Sequence, residues 1–227
     1  MRLRLLSLLL LIMPVSAQEP EGWFIPFACG FQPDIAGFND AFSSNGLPRA
    51  ATRHYGWGME LRSLVQKNIL FGPLFFRTWD DAQNDSFHLR TDAYGIFAEL
   101  GLKLPLFKFL TFVPLVGLGG VQPSFQIRTI TGDLTLDSLL SAPGNIATIS
   151  PGMKITGLGA LELNLLLPTN TGSYGIALRG GYLYSPFTLD WHLANGRRVT
   201  NTPESKIKGP WFSLGLTIIP APEVQSE

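Results

Sequence analysis

Charged residues and cysteine are both scarce in this 227-residue sequence. Lys, Arg, Asp and Glu make up only 15% of it, against about 25% in typical soluble domains. The 17 basic residues equal the 17 acidic ones, so there is no basic excess of the kind that binds nucleic acid. Cys29 is the single cysteine, which excludes an intramolecular disulfide. Its apolar surroundings favour a small buried residue over a reactive thiol.

Motifs of metal and phosphate chemistry are also missing. The sequence has no CxxC pair, no HExxH and no acidic calcium loop. The glycine-rich run 117–120 is predicted to lie inside a strand without a following helix, which excludes a phosphate-binding loop. We therefore expect no metal ion, no cofactor and no nucleic-acid partner.

The longest apolar run stands at the N-terminus and has the features of a secretory signal peptide. Arg2 and Arg4 precede the run 5–13, and the small residues Val15-Ser16-Ala17 form a cleavage site. The run is shorter than the ~20 residues that cross a bilayer as a helix, and no later segment reaches that length. We expect residues 1–17 to be removed, residues 18–219 to form one domain and residues 220–227 to be a polar tail.

Period-two alternation is the dominant pattern in the rest of the chain. In segment 94–104 every second residue is apolar (Tyr, Ile, Ala, Leu, Leu, Leu), whereas the residues between read Gly, Phe, Glu, Gly, Lys. Successive side chains of a strand point to opposite faces, so this pattern predicts a strand with one apolar face. The alternation recurs in 57–62, 161–167, 174–179 and 212–218. In segment 70–79 both faces are apolar and the pattern does not assign them.

Eight strands are predicted in this way. They cover residues 22–31, 54–66, 69–80, 86–104, 108–128, 148–167, 174–190 and 206–219. The connections at 66–68, 105–107 and 168–172 are short, and most of the others are long. Short turns at one rim and long loops at the other are typical of membrane barrels. The predicted fold class is all-β: an antiparallel up-and-down transmembrane β-barrel of about eight strands.

The first long loop has the signals of a short amphipathic helix over residues 33–46. Pro33 and Asp34 resemble a helix start, and Asn45-Gly46 resembles a stop. We expect this helix to cap the barrel mouth or to insert into it, with one apolar face made of Ile35, Phe38, Ala41 and Phe42. A second helical turn is predicted at 134–140.

Tryptophan and tyrosine cluster towards the predicted strand ends. These side chains favour the membrane interface, where an apolar ring meets a polar environment. We therefore predict an aromatic girdle made of Trp23, Tyr55, Trp57, Trp79, Tyr94, Tyr174, Tyr182, Tyr184, Trp191 and Trp211.

The strand count, the Leu/Ile alternation and the aromatic strand ends resemble the small eight-stranded outer-membrane proteins of the OmpA, OmpX and OmpW kind. The resemblance covers nearly the whole chain after residue 17 and is one of architecture, not of a specific motif. It implies a bacterial outer-membrane location, with outer-membrane lipid and the assembly machinery as partners. Such proteins usually end on an aromatic residue. Here the last strand continues into Pro220 and a polar tail, which departs from that pattern.

Six charged residues share the parity of nearby small residues and oppose the leucines. Buried charges persist only when paired and hydrogen-bonded, and an eight-stranded barrel is just wide enough for side chains to fill it. We therefore predict a lumenal ion-pair network of zero net charge, made of Glu60, Arg62, Glu99, Lys103, Glu162 and Arg179. The favoured function is a closed membrane barrel with a structural or binding role, and not an enzyme.

Three alternatives stay open. A narrow channel for small or apolar solutes would use the polar lumen, with the loop helix and segment 129–147 as a gate. A lipid-modifying enzyme would use His54, His88 or His192, although their spacing to serine and aspartate does not demand catalysis. A soluble lipocalin-like barrel in the periplasm or secreted would have the opposite faces, because parity alone does not say which face points inwards.

Overall fold

The structure is a computed structural model and describes residues 22–130, 146–170 and 172–220. The predicted signal peptide, the predicted helical turn at 134–140 and residues 221–227 lie outside this part of the chain. The described residues form eleven strands and one helix. Their bounds are β1 Gly22–Phe31, α1 Ala36–Ser44, β2 His54–Gln66, β3 Ile69–Gln83, β4 Phe87–Leu102, β5 Leu104–Phe107, β6 Leu110–Thr129, β7 Ile146–Ser150, β8 Lys154–Thr169, β9 Gly172–Thr188, β10 His192–Leu193 and β11 Lys206–Pro220.

Eight strands form a closed antiparallel ring. The ring order is β1-β2-β3-β4-β6-β8-β9-β11, and β11 pairs with β1. This order follows the chain, so the predicted up-and-down ring of eight strands is confirmed. Three short strands lie outside the ring: β5 continues β4 along β6, and β7 and β10 extend the sheet on the long-loop side.

Two predicted strands are interrupted. Segment 86–104 is split at Lys103 into β4 and β5 without a change of register against β6, and a register shift follows between Pro105 and Phe107. Segment 148–167 is split into β7 and β8 at Pro151-Gly152, where Gly152 has φ +71°. A residue in that region bends the chain out of an extended strand.

The two faces of the wall differ in chemistry. On β8 the outward Leu161 and Leu167 are 58% and 63% exposed, whereas the intervening Glu162 and Asn164 are buried. The same alternation runs through the other ring strands. On β3, where the sequence left the faces open, Leu70, Leu74 and Phe76 point inwards and Phe71 points outwards.

The lumen is filled in layers. Near the short turns, buried Trp23, Leu70, Val113 and Ile219 form an apolar floor. On the long-loop side of the charged residues lies an aromatic layer, in which Trp211 is 5.9 Å from both Phe27 and Phe76, and Phe76 stacks on Phe97 at 6.2 Å between ring centroids. The barrel interior is therefore a packed core.

Helix α1 lies within the predicted range 33–46 but is shorter at its N-terminus. Asp34 does not cap it, because its carboxylate contacts Lys208 Nζ at 2.9 Å. At the C-terminus, the Leu47 N–H donates to Phe42 O (2.9 Å) and the Gly46 N–H to Ser43 O (3.2 Å), with Gly46 at φ +73°. This is a Schellman motif, which needs glycine at that position. No helix within the described ranges has the length and apolar character needed to cross a membrane.

The helix closes the long-loop end of the lumen. Phe38 lies 4.8 Å from both Phe125 of β6 and Trp191, and Phe42 lies 5.2 Å from Phe125, between ring centroids. Asn39 ties the helix down, because its side chain donates to Ala50 O (3.0 Å) and accepts from Ala50 N–H (2.8 Å). We call α1 and these aromatic contacts the cap. Of the four predicted face residues, Phe38 and Phe42 are buried, whereas Ile35 and Ala41 are half-buried.

Candidate functional site: the lumenal ion-pair cluster

Five of the six predicted lumenal charges meet inside the barrel. Glu60 and Arg62 come from β2, Glu99 from β4, Glu162 from β8 and Arg179 from β9. Their side chains are at most 2% exposed. Glycines at inward positions leave room for them: Gly117 lies opposite Glu99, and a Cβ there would lie 3.3 Å from the Glu99 side chain.

Glu162 holds both guanidinium groups. Arg62 binds it with two parallel bonds, Nη1 to Oε1 and Nη2 to Oε2, each 2.7 Å. Arg179 Nε donates to Glu162 Oε2 at 2.7 Å. Bidentate bonds of this kind combine charge with fixed geometry. Because Arg62 and Glu162 sit on opposite sides of the ring, the pair ties the two walls together.

Glu60 and Glu99 complete the cluster unequally. Glu60 contacts Arg62 Nε and Arg179 Nη2 closely. Glu99 is held more loosely, because its oxygens lie 3.3 and 3.4 Å from Arg179 Nη1 and 3.9 Å from Arg62 Nη2. Three carboxyl groups and two guanidinium groups give a formal charge of −1 when all are ionised.

Neutral groups extend the cluster, and the sequence reasoning missed them. Asn164 Nδ2 donates to Glu162 Oε1, and Thr217 Oγ1 donates to Asn164 Oδ1 at 2.7 Å. The Arg179 guanidinium also lies 5.6 Å from the ring of Trp211 in the aromatic layer. Strand parity could have identified Asn164 as a member of the cluster, because it stands two residues after Glu162 and points to the same face.

Lys103 lies apart from the cluster. Its Nζ is 5.1 Å from the ring of Trp23, which belongs to the apolar floor. Residue 103 has inward parity but follows the end of β4 at Leu102, so its side chain lies at the floor of the barrel. The predicted six-residue set of zero charge is therefore corrected to five residues with a formal charge of −1.

Buried side chains of the described residues lie on both sides of the cluster. The floor lies on one side, and the aromatic layer and the cap lie on the other. A small cavity of about 30 Å³ lies under the cap, lined mainly by Phe31, Phe38, Phe125, Trp191 and Ile207. A space of that size is sufficient for a water molecule.

The three histidines are separated and differ in environment. His54 is buried with Nε2 3.3 Å from Thr91 Oγ1, and its Nδ1 has no partner among the described residues. His88 Nε2 lies 3.3 Å from Asp81 Oδ1, and His192 Nδ1 lies 3.0 Å from the Asp190 carbonyl. Nucleophilic catalysis needs a hydroxyl, a base and an orienting group in contact. No histidine in the described ranges has that set, and no metal-binding group of His, Cys, Asp or Glu occurs there.

The predicted girdle residues divide into two groups. Trp23, Trp191 and Trp211 are at most 2% exposed and point into the barrel or the cap, so assigning them to the girdle was wrong. They share the inward parity or pack under α1, and an aromatic residue fills a lumen as readily as it faces lipid. The outward members are Tyr55, Trp57, Trp79, Tyr94, Tyr174, Tyr182 and Tyr184.

Comparison with known proteins gives structural likenesses only. No family model and no curated protein matches the sequence. The structure is similar to a major outer membrane protein from Thermus thermophilus (TM-score 0.50, 10% identity, 86% of this chain and 98% of that chain). It is also similar to Neisserial surface protein A (TM-score 0.48, 8% identity, 89% of this chain and 99% of that chain). A third similar structure is Ail, the attachment invasion locus protein of Yersinia pestis (TM-score 0.46, 11% identity, 88% of this chain and 98% of that chain). The Thermus protein shares the barrel fold with this chain.

Proposed function

We propose that this protein is an integral outer-membrane β-barrel with a closed lumen and a structural or binding role. The observation that carries the proposal is the inverted distribution of polarity. Five charged side chains are buried in the middle of the interior, whereas Leu118, Ile155 and Leu167 on the outside are 60–66% exposed. Large apolar surfaces of this kind are rare on soluble monomers and mark contact with a membrane or a partner.

The girdle supports the same location. The outward tyrosines and tryptophans lie towards the ends of an outward belt of Leu, Ile, Val and Phe, as they do in membrane barrels. A lipocalin-like barrel would place Glu99, Glu162 and Arg179 in solvent and an apolar ligand inside. Burial of all three side chains opposes that alternative.

The ion pairs support a closed lumen over a channel. Removing one member of a buried ion pair leaves a charge uncompensated, so the five residues hold each other in place. The packed floor, the aromatic layer and the cap add three further obstructions. No contact described above favours the enzyme alternative.

Membrane location is tested by fractionation followed by gel electrophoresis with and without boiling. We expect the protein to remain with the outer membrane and the unboiled sample to migrate differently, because a closed barrel resists unfolding by detergent. Recovery of the protein free in the periplasm would contradict the proposal.

The closed lumen is tested by conductance across planar bilayers. We expect no steady conductance from the purified protein, and a Phe38→Ala variant, which loosens only the cap, is expected to be equally silent because the cluster still blocks the path. Steady openings by the unaltered protein would support the narrow-channel alternative instead.

A further inference from the structure

On the long-loop side of the girdle, the outer wall of the barrel is apolar on some strands and polar on others. On β9 and just before β8 the surface stays apolar, with Phe187 and Met153 about half exposed. On β3, β4 and β6 the outward positions beyond the girdle are polar or charged. These positions are Asp81, His88, Arg90, Asp92, Gln122, Ser124, Gln126 and Arg128.

Arg77 of β3 lies within the girdle itself. Its guanidinium carbon is 4.9 Å from the Tyr94 ring centroid and 5.7 Å from that of Trp79. Its Nε and Nη2 donate to Asp92 Oδ1 at 3.2 and 2.8 Å. The aromatic rings and the carboxylate therefore hold the guanidinium at the edge of the apolar belt.

Arg90 shares the same carboxylate. Its Nε donates to Asp92 Oδ2 at 2.9 Å, so one aspartate orients two arginines. The Arg77 and Arg90 side chains are 31% and 33% exposed, whereas that of Asp92 is 13% exposed. Solvent-accessible guanidinium groups thus surround a largely covered carboxylate. Arg128 of β6 lies opposite His88, two residues beyond the Arg90–Gln126 pair. We call Arg77, Arg90 and Arg128 the arginine face.

The charge balance of this face is positive. Three arginines stand against Asp81 and Asp92, and Asp81 is also contacted by His88. The formal sum is +1 with a neutral His88 and +2 with a protonated one. Neighbouring Gln122, Ser124 and Gln126 add hydrogen-bonding groups suited to hydroxyls.

We propose that the arginine face binds the phosphorylated sugar headgroup of an outer-leaflet glycolipid. This inference rests on the proposed membrane location. Tyrosine and tryptophan girdles lie at headgroup level, so the guanidinium groups stand at the depth of lipid phosphates. Asp92 engages Nε and Nη2 of Arg77 and Nε of Arg90. The remaining guanidinium N–H groups can donate to phosphate oxygens, and side chains ordered beforehand lose less entropy on binding.

Lipid retention after reconstitution tests the inference. The purified full chain is placed in phosphatidylcholine vesicles containing lipid A, or the same lipid A after phosphatase treatment, and is re-extracted in detergent. Mass spectrometry then counts lipid A per protein. We expect phosphorylated lipid A to be retained and the Arg77→Gln/Arg90→Gln variant to bind at least about tenfold more weakly, because two charge-assisted contacts are lost.

The matched control is Arg197→Gln/Arg198→Gln, which removes two arginines from the same rim outside the arginine face and should retain lipid A normally. If the test variant fails to fold, as judged by gel mobility, Arg90→Gln alone replaces it. This variant keeps the Arg77–Asp92 contacts and should retain less lipid A than the unaltered protein; equal retention would count against the inference. The inference is wrong, while the membrane location stands, if the Arg77→Gln/Arg90→Gln variant retains as much lipid A as the unaltered protein. The same holds if dephosphorylated lipid A is retained as well as phosphorylated lipid A. Failure of the unaltered protein to enter vesicles would overturn the membrane location, and the inference with it.

Discussion

The lumenal cluster and the cap close the same barrel by different physical means. The cluster uses directional bonds among five charges from four strands, and its geometry has few alternatives. The cap uses ring packing of Phe38, Phe42, Phe125 and Trp191, and a few hydrogen bonds from one short helix. Apolar packing tolerates shifts and local opening, whereas a buried charge without its partner is costly. The comparison suggests that damage to the cluster affects the whole barrel and damage to the cap stays local.

The largest effect is expected for Arg179→Gln. This change leaves three carboxylates facing one guanidinium, and breaking a buried ion pair typically costs about 3–5 kcal/mol. The free energy of unfolding in lipid vesicles, from urea titration, should fall by that amount over the whole barrel. Arg198→Gln, which removes an exposed pair with Asp190, is the control and should change stability by less than about 1 kcal/mol. Equal effects from both variants would contradict the role of the cluster.

Phe38→Ala should destabilise the cap by about 3 kcal/mol, since truncating a buried phenylalanine removes area and leaves a cavity. Because the helix can open without the ring strands, the expected result is faster proteolysis around residues 36–44 while the barrel keeps its unboiled gel mobility. A loss of barrel mobility at the same time would show that the cap and the cluster are one cooperative unit.

Gly46→Ala is a smaller perturbation of the cap. At φ +73° an alanine is strained by about 1 kcal/mol, so proteolysis at α1 should accelerate mildly. Gly22→Ala is the control, because Gly22 has open space for a Cβ and an ordinary φ. Similar protease sensitivity in the two variants would argue against the Schellman motif as a determinant of the cap.

The smallest effect is expected for Glu99→Gln. Glu99 has the longest contacts, and removing its charge brings the formal sum of the cluster from −1 to zero. Stability should change by less than about 1 kcal/mol, whereas Glu162→Gln should lose about 3 kcal/mol because both arginines depend on Glu162. Urea titration of the two variants under identical conditions distinguishes them, and equal losses would contradict the unequal roles.

Much of the barrel was predictable because strand parity is a local property. The eight ring strands, and the position of Glu60, Glu99, Glu162 and Arg179 on the face opposite the leucines, follow from alternation. That this face points inwards does not follow from alternation alone. Alternation did not assign the faces of β3, where Leu70 and Phe71 are both apolar. It also did not show that β4 ends before Lys103.

The aromatic residues were harder to place. Residue type does not separate a lumenal tryptophan such as Trp211 from a lipid-facing one such as Trp57, because both environments are apolar. Parity would have helped, since Trp211 matches Ser213 and Thr217. The Thr217–Asn164 and Arg77–Asp92 contacts join different strands, and no single segment of sequence records them.

The five lumenal charges have a consequence for how the barrel assembles. The Arg62–Glu162 and Arg179–Glu60 contacts join residues 100 and 119 positions apart, so they form only after the early and late strands have met. A one-residue slip of a strand turns every side chain to the opposite face. A slipped β2, β8 or β9 would therefore turn an arginine or glutamate to the outer, apolar face, and the contacts of the cluster would not form.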